Sequence, residues 1–393
     1  MASPKIKLFL AGSVVTLVSL VVSISVSGQT QWQLSHYTIY DNNTFRDYEM
    51  IPDWVNQTDL YLGHDFKLGS WLSRVYYEGD VNIFKEYPER FFHQHQLGLA
   101  FSHQFGEALS LMAGGNYEIR RNRTAYDYYN YSQWQGYGNV RLEIQQNLPL
   151  QAGYRLRGRQ YQNLPEFSYQ EHFSFLRLSK FLPTKTTPIG EVTYGKKDYT
   201  GKSSIVEKKL ESKGRGKGWG RHGQMFPVIS YNIDTPGSSQ VTILARIAQS
   251  LTPSIGLSFQ YLRRLLPQQG SRILSGQDSG YATDDELFDD PYRYQSHELS
   301  LVATQLLPWN LQLKLGVDYY HKLYPGIPAQ DSGEDRKDER MAGWLYGSKT
   351  FRMIRFAQSL TLYLQYSNLR NRSNDAYFDY YQQVISSGME WNF

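Results

Sequence analysis

Most of this chain alternates apolar and polar residues with a period of two. In 359–366, for example, Leu360, Leu362 and Leu364 share one face and Thr361 lies on the other. This period is typical of β-strands with one apolar and one polar side. Each alternating segment has about 9–11 residues or more, enough to cross a bilayer as a tilted strand. The pattern therefore predicts an all-β protein with two chemically distinct faces.

Short turns and long connections follow one another along the chain. Seven short turns, rich in Pro and Gly, are predicted at 67–70, 105–108, 147–149, 182–184, 251–254, 307–310 and 352–355. Longer polar connections are predicted at 42–56, 85–89, 124–130, 163–168, 201–238, 267–294, 325–337 and 372–381. With a strand added near each end, the turns predict about 16 antiparallel strands connected up and down.

The composition favours a transmembrane barrel over a soluble β-sandwich or propeller, which would show the same period. The mean hydropathy is −0.54, yet 15% of the residues are aromatic. A barrel wall is apolar outside and polar inside, which gives this balance. Aromatic residues near strand ends, such as Tyr128, Tyr129, Tyr131 and Trp134, are predicted to form girdles at the membrane interface.

The amino terminus has the features of a secretory signal peptide. Lys5 and Lys7 precede an apolar run from Leu8 to Val26, and small residues follow up to Gly28. We therefore predict a signal peptide at 1–28 and a single barrel domain at 29–393; the alternative is an uncleaved anchor helix. The chain has no Cys, which excludes thiol lipidation and disulfides.

The last strand, 382–393, has an apolar face that includes Ile385, Met389, Trp391 and Phe393. It resembles the terminal strand of bacterial outer-membrane β-barrels, in which the assembly machinery reads the final aromatic residue. The resemblance implies that Trp391 and Phe393 are the assembly signal and that the protein lies in the bacterial outer membrane. Its expected partners are outer-membrane lipids, lipopolysaccharide and the barrel assembly machinery.

A second resemblance covers only about 25 residues at the closing hairpin. The stretch 370–381, which resembles the earlier stretch 120–129, places Arg and Asn before a cluster of Tyr and Phe. It is similar to the closing hairpin of barrels in the surface lipoprotein assembly modifier class. The helical repeats that often precede such barrels are absent from this sequence, so the resemblance implies no function.

Several basic residues are predicted to face the lumen. They are Arg141, Arg155, Arg157, Arg159, Arg246 and Lys314. A basic strip in a water-filled pore attracts anions, which predicts a channel for small hydrophilic solutes with an anion preference. The alternative is that these residues pair with Glu143, Glu118 or Glu390 and only stiffen the wall. The segment 172–182 shows no consistent apolar face, so no facing is predicted for it.

Two long connections carry opposite charge. Residues 202–221 are rich in Lys, Arg and Gly, which suggests either contact with lipopolysaccharide phosphates, inward folding that narrows the pore, or a solvated loop. The second connection carries Asp278, Asp284, Asp285, Glu286, Asp289 and Asp290. It lacks the spacing of a calcium-binding loop, and a solvated charged loop is the favoured interpretation.

The remaining candidates for chemistry are few. His93 and His95 share a strand face, but no third ligand is evident for a metal. Asp318 and His321 occupy one strand end and would be needed close together in a hydrolase. The formal charge is +4, or +2 without the two signal lysines, which argues against nucleic acid as a partner. We therefore predict no enzyme activity, no metal and no cofactor. The main alternative to a channel is a surface-binding or structural barrel with a plugged lumen. A barrel-embedded hydrolase is a remote alternative.

Overall fold

The computed structural model describes residues 28–201, 229–230, 237–270, 274–275, 285–287, 289–353 and 357–393. Sixteen strands in these ranges form one closed antiparallel barrel, which confirms the predicted fold and strand number. Numbered in chain order, they are β1 Gln29–Asp41, β2 Asp53–Leu68, β3 Trp71–Phe84, β4 Phe92–Phe105, β5 Leu109–Asn122, β6 Tyr131–Gln145, β7 Leu148–Tyr161, β8 Tyr169–Ser179, β9 Thr186–Tyr199, β10 Gly237–Ser250, β11 Ile255–Gln268, β12 Gln295–Leu307, β13 Leu311–Pro328, β14 Asp335–Arg352, β15 Ser359–Ser373 and β16 Tyr380–Asn392.

Short elements lie between the barrel strands. Two-residue strands, Ile229–Ser230 and Leu274–Ser275, pair with each other. The 3-10 helices are Pro88–Arg90, Thr124–Tyr129, Pro165–Phe167, Asp285–Leu287, Pro291–Arg293 and Ala376–Phe378. In the described part of the chain, no helix has the length and apolar character needed to span a membrane.

The tight turns lie at one end of the barrel, at the predicted positions. Gly69 and Gly106 adopt the left-handed conformation there, with φ of 63° and 62°, which glycine reaches without steric cost. Asn147 does the same with φ of 62°. The predicted turn at 352–355 includes residues 354 and 355, which lie outside the described ranges.

The wall separates apolar from polar side chains as the alternation predicted. Leu315 and Leu345 are direct cross-strand partners on the outer face, and each is at least half exposed. Leu176 of β8 pairs with Ala152 and Val192. This register places Leu176 and Leu178 outside and Phe173 and Phe175 inside, which resolves the segment that had no predicted facing.

Aromatic rings lie over glycines in the wall. A Cβ atom on Gly98 would come within 2.2 Å of Tyr76 Cζ, and one on Gly316 within 2.1 Å of Trp344 Cε2. Only a residue without a side chain leaves room for the ring to lie flat there. The rings cover strand positions that would otherwise have no side-chain packing.

The first and last strands close the barrel. The pairing runs from Gln33 opposite Asn392 to Asp41 opposite Val384. Beyond it, the Phe393 backbone N–H donates to the Trp32 carbonyl at 3.0 Å, and the two rings lie 5.8 Å apart. The predicted assembly residues therefore lie at the closing seam.

One prediction about aromatic residues was wrong. Tyr128, Tyr129 and Tyr131 were expected at the membrane interface, but they are buried in a cluster with Tyr161, Leu164, Phe167, Tyr169 and Leu287. The connection between β5 and β6 forms a 3-10 helix that packs against other connections. The rings therefore build an apolar core at the long-loop end of the barrel. Trp134, by contrast, is 37% exposed on the outer face.

Candidate functional site

The six basic residues singled out from the sequence lie on the inward face of the barrel. Arg141 is on β6, and Arg155, Arg157 and Arg159 are on β7, in the opposite phase to the exposed Tyr154. Arg246 on β10 and Lys314 on β13 follow the same alternation, since each is flanked by exposed apolar neighbours such as Ile247 and Leu315.

These residues form two groups. Arg155 and Arg157 share the Glu171 carboxylate, at 3.2 and 2.8 Å. Arg159 donates through Nε to Gln133 Oε1 at 2.9 Å. Arg141 lies 3.7 Å from Glu143. Arg246 and Lys314, in contrast, form no ion pair with any residue in the described ranges.

The basic residues do pair with acids, as the alternative considered from the sequence proposed, but only one of its three candidate acids was right. Glu143 pairs with Arg141 as considered, whereas Glu118 accepts a hydrogen bond from Tyr131 at 2.5 Å and Glu390 accepts one from Asn392 at 2.9 Å. Glu171 was missed because β8 had no predicted facing. The register of β7 and β8, which places Glu171 opposite Arg157, would have identified it.

A short part of the connection between β11 and β12 lies against the basic residues. We call it the acidic segment; its described side chains are Glu286, Leu287 and residues 289–293. Asp290 caps the helix Pro291–Arg293 by accepting a hydrogen bond from the Tyr292 backbone N–H at 3.0 Å. Leu287 is 1% exposed in the aromatic cluster, so apolar packing and capping both fix the segment.

The carboxylates of the acidic segment meet cations of the strands on both sides of it. Glu286 lies 2.9 Å from Arg157 Nη2 and 3.4 Å from Lys197 Nζ, and it accepts a hydrogen bond from the Tyr169 hydroxyl. Arg159 lies 3.7 Å from the same carboxylate. The segment is thereby bound to β7, β8 and β9.

The other end of the acidic segment is bound in the same way. Asp290 lies 2.7 Å from Lys197 Nζ, which is 2% exposed. Asp289 lies 2.7 Å from Lys322 Nζ and accepts a hydrogen bond from the Tyr324 hydroxyl at 2.8 Å, both on β13. The segment therefore connects β7–β9 to β13 across three intervening strands. The sequence had favoured a solvated loop here, and for Glu286, Asp289 and Asp290 that interpretation was wrong.

Neighbouring cations stabilise the ionised carboxylates of the acidic segment. Burial alone would raise the pKa of the Glu286 carboxyl, but Arg157, Lys197 and Arg159 outweigh it and hold the pKa well below its ordinary value. At Asp289, burial again raises the pKa of the carboxyl, but Lys322, Arg340 and Arg336 outweigh this effect and the pKa is lowered. Both carboxylates therefore stay ionised at neutral pH.

Acidic side chains predominate on another part of the wall. Asp59 and Asp80 are cross-strand partners on β2 and β3, and with Glu78 they line a cavity of about 400 Å³. No Lys or Arg lines this cavity. This part of the inner wall is therefore lined by acids, in contrast to the arginines of β7.

The other sequence candidates do not form sites. His93 and His95 face outward on β4, 3.0 Å apart, and Tyr77 contacts His95 at 2.7 Å. Within the described ranges, no three metal-binding side chains converge. Asp318 faces inward and accepts a hydrogen bond from the Trp344 indole, whereas His321 is in the outward phase. The basic connection 202–221 and the residues Asp278 and Asp284 lie outside the described residues.

Comparison with known proteins identifies the architecture. No protein-family model and no curated protein matches the chain. Among solved structures it is similar to OccAB1 of Acinetobacter baumannii, with a TM-score of 0.54 and 9% identity over 94% of this chain and 97% of that one. It is also similar to OccK1 (OpdK) of Pseudomonas aeruginosa, with a TM-score of 0.52 and 12% identity over 93% and 99%.

A third similar structure is OccK5 (OpdH) of Pseudomonas aeruginosa, with a TM-score of 0.51 and 11% identity over 93% of this chain and 98% of that one. All three comparisons cover nearly the whole of both chains. The chain has their fold. At these identities the likeness extends to the barrel architecture and not to the solute.

Proposed function

We propose that this protein is a channel for small hydrophilic solutes in the bacterial outer membrane. The observation that carries the proposal is the closed 16-strand wall with an apolar outer face and a charged inner face. Barrels of this size are wide enough to enclose an aqueous lumen. The shared architecture with the Occ porins supports the same function.

An anion preference is the second part of the proposal. Arg155 and Arg157 share Glu171, and Arg157 also pairs with Glu286. We therefore assign the preference mainly to Arg246 and Lys314, which have no described ion-pair partner. Both lie near the short turns, beyond the acidic segment. OpdK has also been solved with vanillate, an aromatic carboxylate, which agrees with an anionic solute class.

Single-channel recording in planar bilayers tests both parts. The refolded protein, after its β-sheet circular dichroism is verified, should give stable unitary conductance steps. Arg246→Gln should shift the reversal potential toward cations more than Arg155→Gln, which removes the same charge from a paired position. Equal shifts would contradict the assignment to Arg246.

A barrel with a plugged lumen that binds a surface partner is the second candidate. The acidic segment favours it, because its ion pairs extend from β7–β9 to β13 at the long-loop end. Absence of conductance from well-folded protein would support this function. For a hydrolase, the remote alternative, Asp318 and His321 lie in opposite strand phases, and turnover of phospholipid or peptide substrates would be its test.

Export and assembly complete the proposal. Residues 1–28 would act as the signal peptide, and Trp391 and Phe393 would be read by the barrel assembly machinery. The outward phase of Trp391, opposite Leu34 and Leu360, leaves its ring accessible from the membrane side. Outer-membrane lipids and lipopolysaccharide would then surround the apolar band.

A further inference from the structure

A row of charged side chains crosses the outer face of five neighbouring strands. Its members, Arg263, His297, His321, Glu339 and Arg372, are successive Cα partners from β11 to β15. We call this set the outer charged row. Directly opposite residues of antiparallel strands are about 4.5–5.5 Å apart, so the five side chains form one continuous strip.

The neighbouring rows show where this strip lies relative to the membrane. The next outward row toward the tight turns contains Tyr261, Leu299, Tyr319 and Met341 and ends at Arg370, which is paired with Asp379. The row after it begins Phe259, Leu301, Val317. Apolar residues thus give way to tyrosines and then to charges. This order is that of hydrocarbon, interface and headgroups.

The strip carries an excess of cations. Arg263 and Arg372 make no ion pair with any described residue, and Glu339 is the single acid in the row. Glu339 Oε1 lies 3.8 Å from His321 Nδ1, and Tyr261 contacts His297 Nδ1 at 2.8 Å. These two guanidinium groups, without an ion-pair partner among the described residues, are placed to pair with anions of the headgroup layer.

We propose that the outer charged row binds the phosphate groups of a phosphorylated glycolipid in the outer leaflet. Guanidinium groups match phosphate oxygens in a bidentate geometry. Two arginines at the ends of the strip, with two histidines between, provide donors along a length of about 20 Å. Barrel strands tilt by about 35–45°, so the row is inclined and spans the depth of the headgroup layer. The inference rests on the proposed outer-membrane location.

Lipid binding to the full-length mature barrel tests the inference. The protein is placed in phosphatidylcholine nanodiscs and titrated with bis-phosphorylated lipid A, with its dephosphorylated form and with inorganic phosphate. Wild type should prefer bis-phosphorylated lipid A over both. Because each interfacial arginine contributes about 1 kcal/mol, the R263Q/R372Q variant should bind roughly 30-fold more weakly. R263K/R372K keeps the charge but loses the bidentate geometry, so its affinity should lie between those of wild type and R263Q/R372Q.

Lys349 supplies a matched control. It lies in the outward phase of β14, opposite Leu311 and Leu362 near the tight turns, and K349Q removes one charge at the wrong membrane level. An equal loss for K349Q, or equal binding of both lipid A forms by wild type, would overturn the inference. Inorganic phosphate binding as tightly as lipid A would also overturn it.

The same preparations distinguish this inference from the channel proposal. Unitary conductance with no preference for phosphorylated lipid would leave the channel standing and reject the lipid site. A folded barrel that is silent in bilayers but prefers bis-phosphorylated lipid A would support the lipid site and count against the channel.

Discussion

Replacing Glu286 by Gln should release the acidic segment from the basic residues of the lumen. Three cations of the described residues lie within 4 Å of this carboxylate, at 2.9, 3.4 and 3.7 Å. Removing one partner of a buried ion pair costs about 3–5 kcal/mol. Glu286 is 21% exposed, and Lys197 and Arg157 keep Asp290 and Glu171 as partners. We therefore expect a loss at or just below the lower limit of that range, about 2–3 kcal/mol, for the docking of the segment.

That loss corresponds to a roughly 30- to 150-fold decrease in the docking equilibrium. The barrel itself should remain folded, because its ladder does not include the segment. We therefore expect a higher unitary conductance and a reversal potential shifted toward anions, since one lumenal negative charge is removed. Single-channel recording at fixed salt measures both, and low ionic strength enlarges the electrostatic part.

Glu191→Gln is the matched control for this change. Glu191 is also lumenal and pairs with Arg177 at 2.5 Å, but it belongs to β9 and not to the segment. It removes the same charge without releasing the connection. If Glu286→Gln and Glu191→Gln gave the same conductance as wild type, the acidic segment would not be a constriction, and the reasoning would fail.

Three further predictions follow from the same structure. The pKa values of Glu286 and Asp289 are lowered, so the ion pairs stabilise the docked segment fully above the ordinary carboxyl pKa of about 4. This stabilisation is lost only as the pH falls through the lowered pKa values. Conductance should therefore be the same at pH 7 and at about pH 5, and a higher conductance at pH 5 would contradict the ion-pair account. Gly195→Ala places a Cβ 2.1 Å from the Tyr292 hydroxyl, which donates to Glu171 at 2.8 Å, so it should raise conductance without altering charge; Gly190→Ala, with open space around its Cβ, should not. Deleting Phe393 should reduce assembled barrel in the outer membrane several-fold while detergent refolding is retained, and normal surface levels in cells would refute its role as a signal.

The sequence was sufficient to predict the wall because period two encodes both the strands and their facing. Leu360, Leu362 and Leu364 were assigned correctly from alternation alone, and the register with β14 and β16 agrees. The tight turns were found through Pro and Gly, whose backbone requirements are local. The six lumenal cations have inward phase for the same reason.

The contacts made by the acidic segment were not predictable by this reasoning. Glu286 lies more than 100 residues after Arg157 along the chain and has no periodicity that relates it to the wall. The buried Tyr128 and Tyr129 show the same limit, because a ring in a connection can lie in lipid or in a core. Asp318 and His321 were a different case: their spacing of three already places them on opposite faces of a strand.

The seam between β1 and β16 has a consequence for the order of biogenesis. Gln33 cannot meet Asn392 until nearly every other residue of the barrel is present. Until then the growing sheet has two free edges, and each can form hydrogen bonds with a strand of another polypeptide. Pairing between residues so far apart in sequence forms slowly without help. A chaperone that covers both edges would therefore shorten the time during which the incomplete sheet can misassemble.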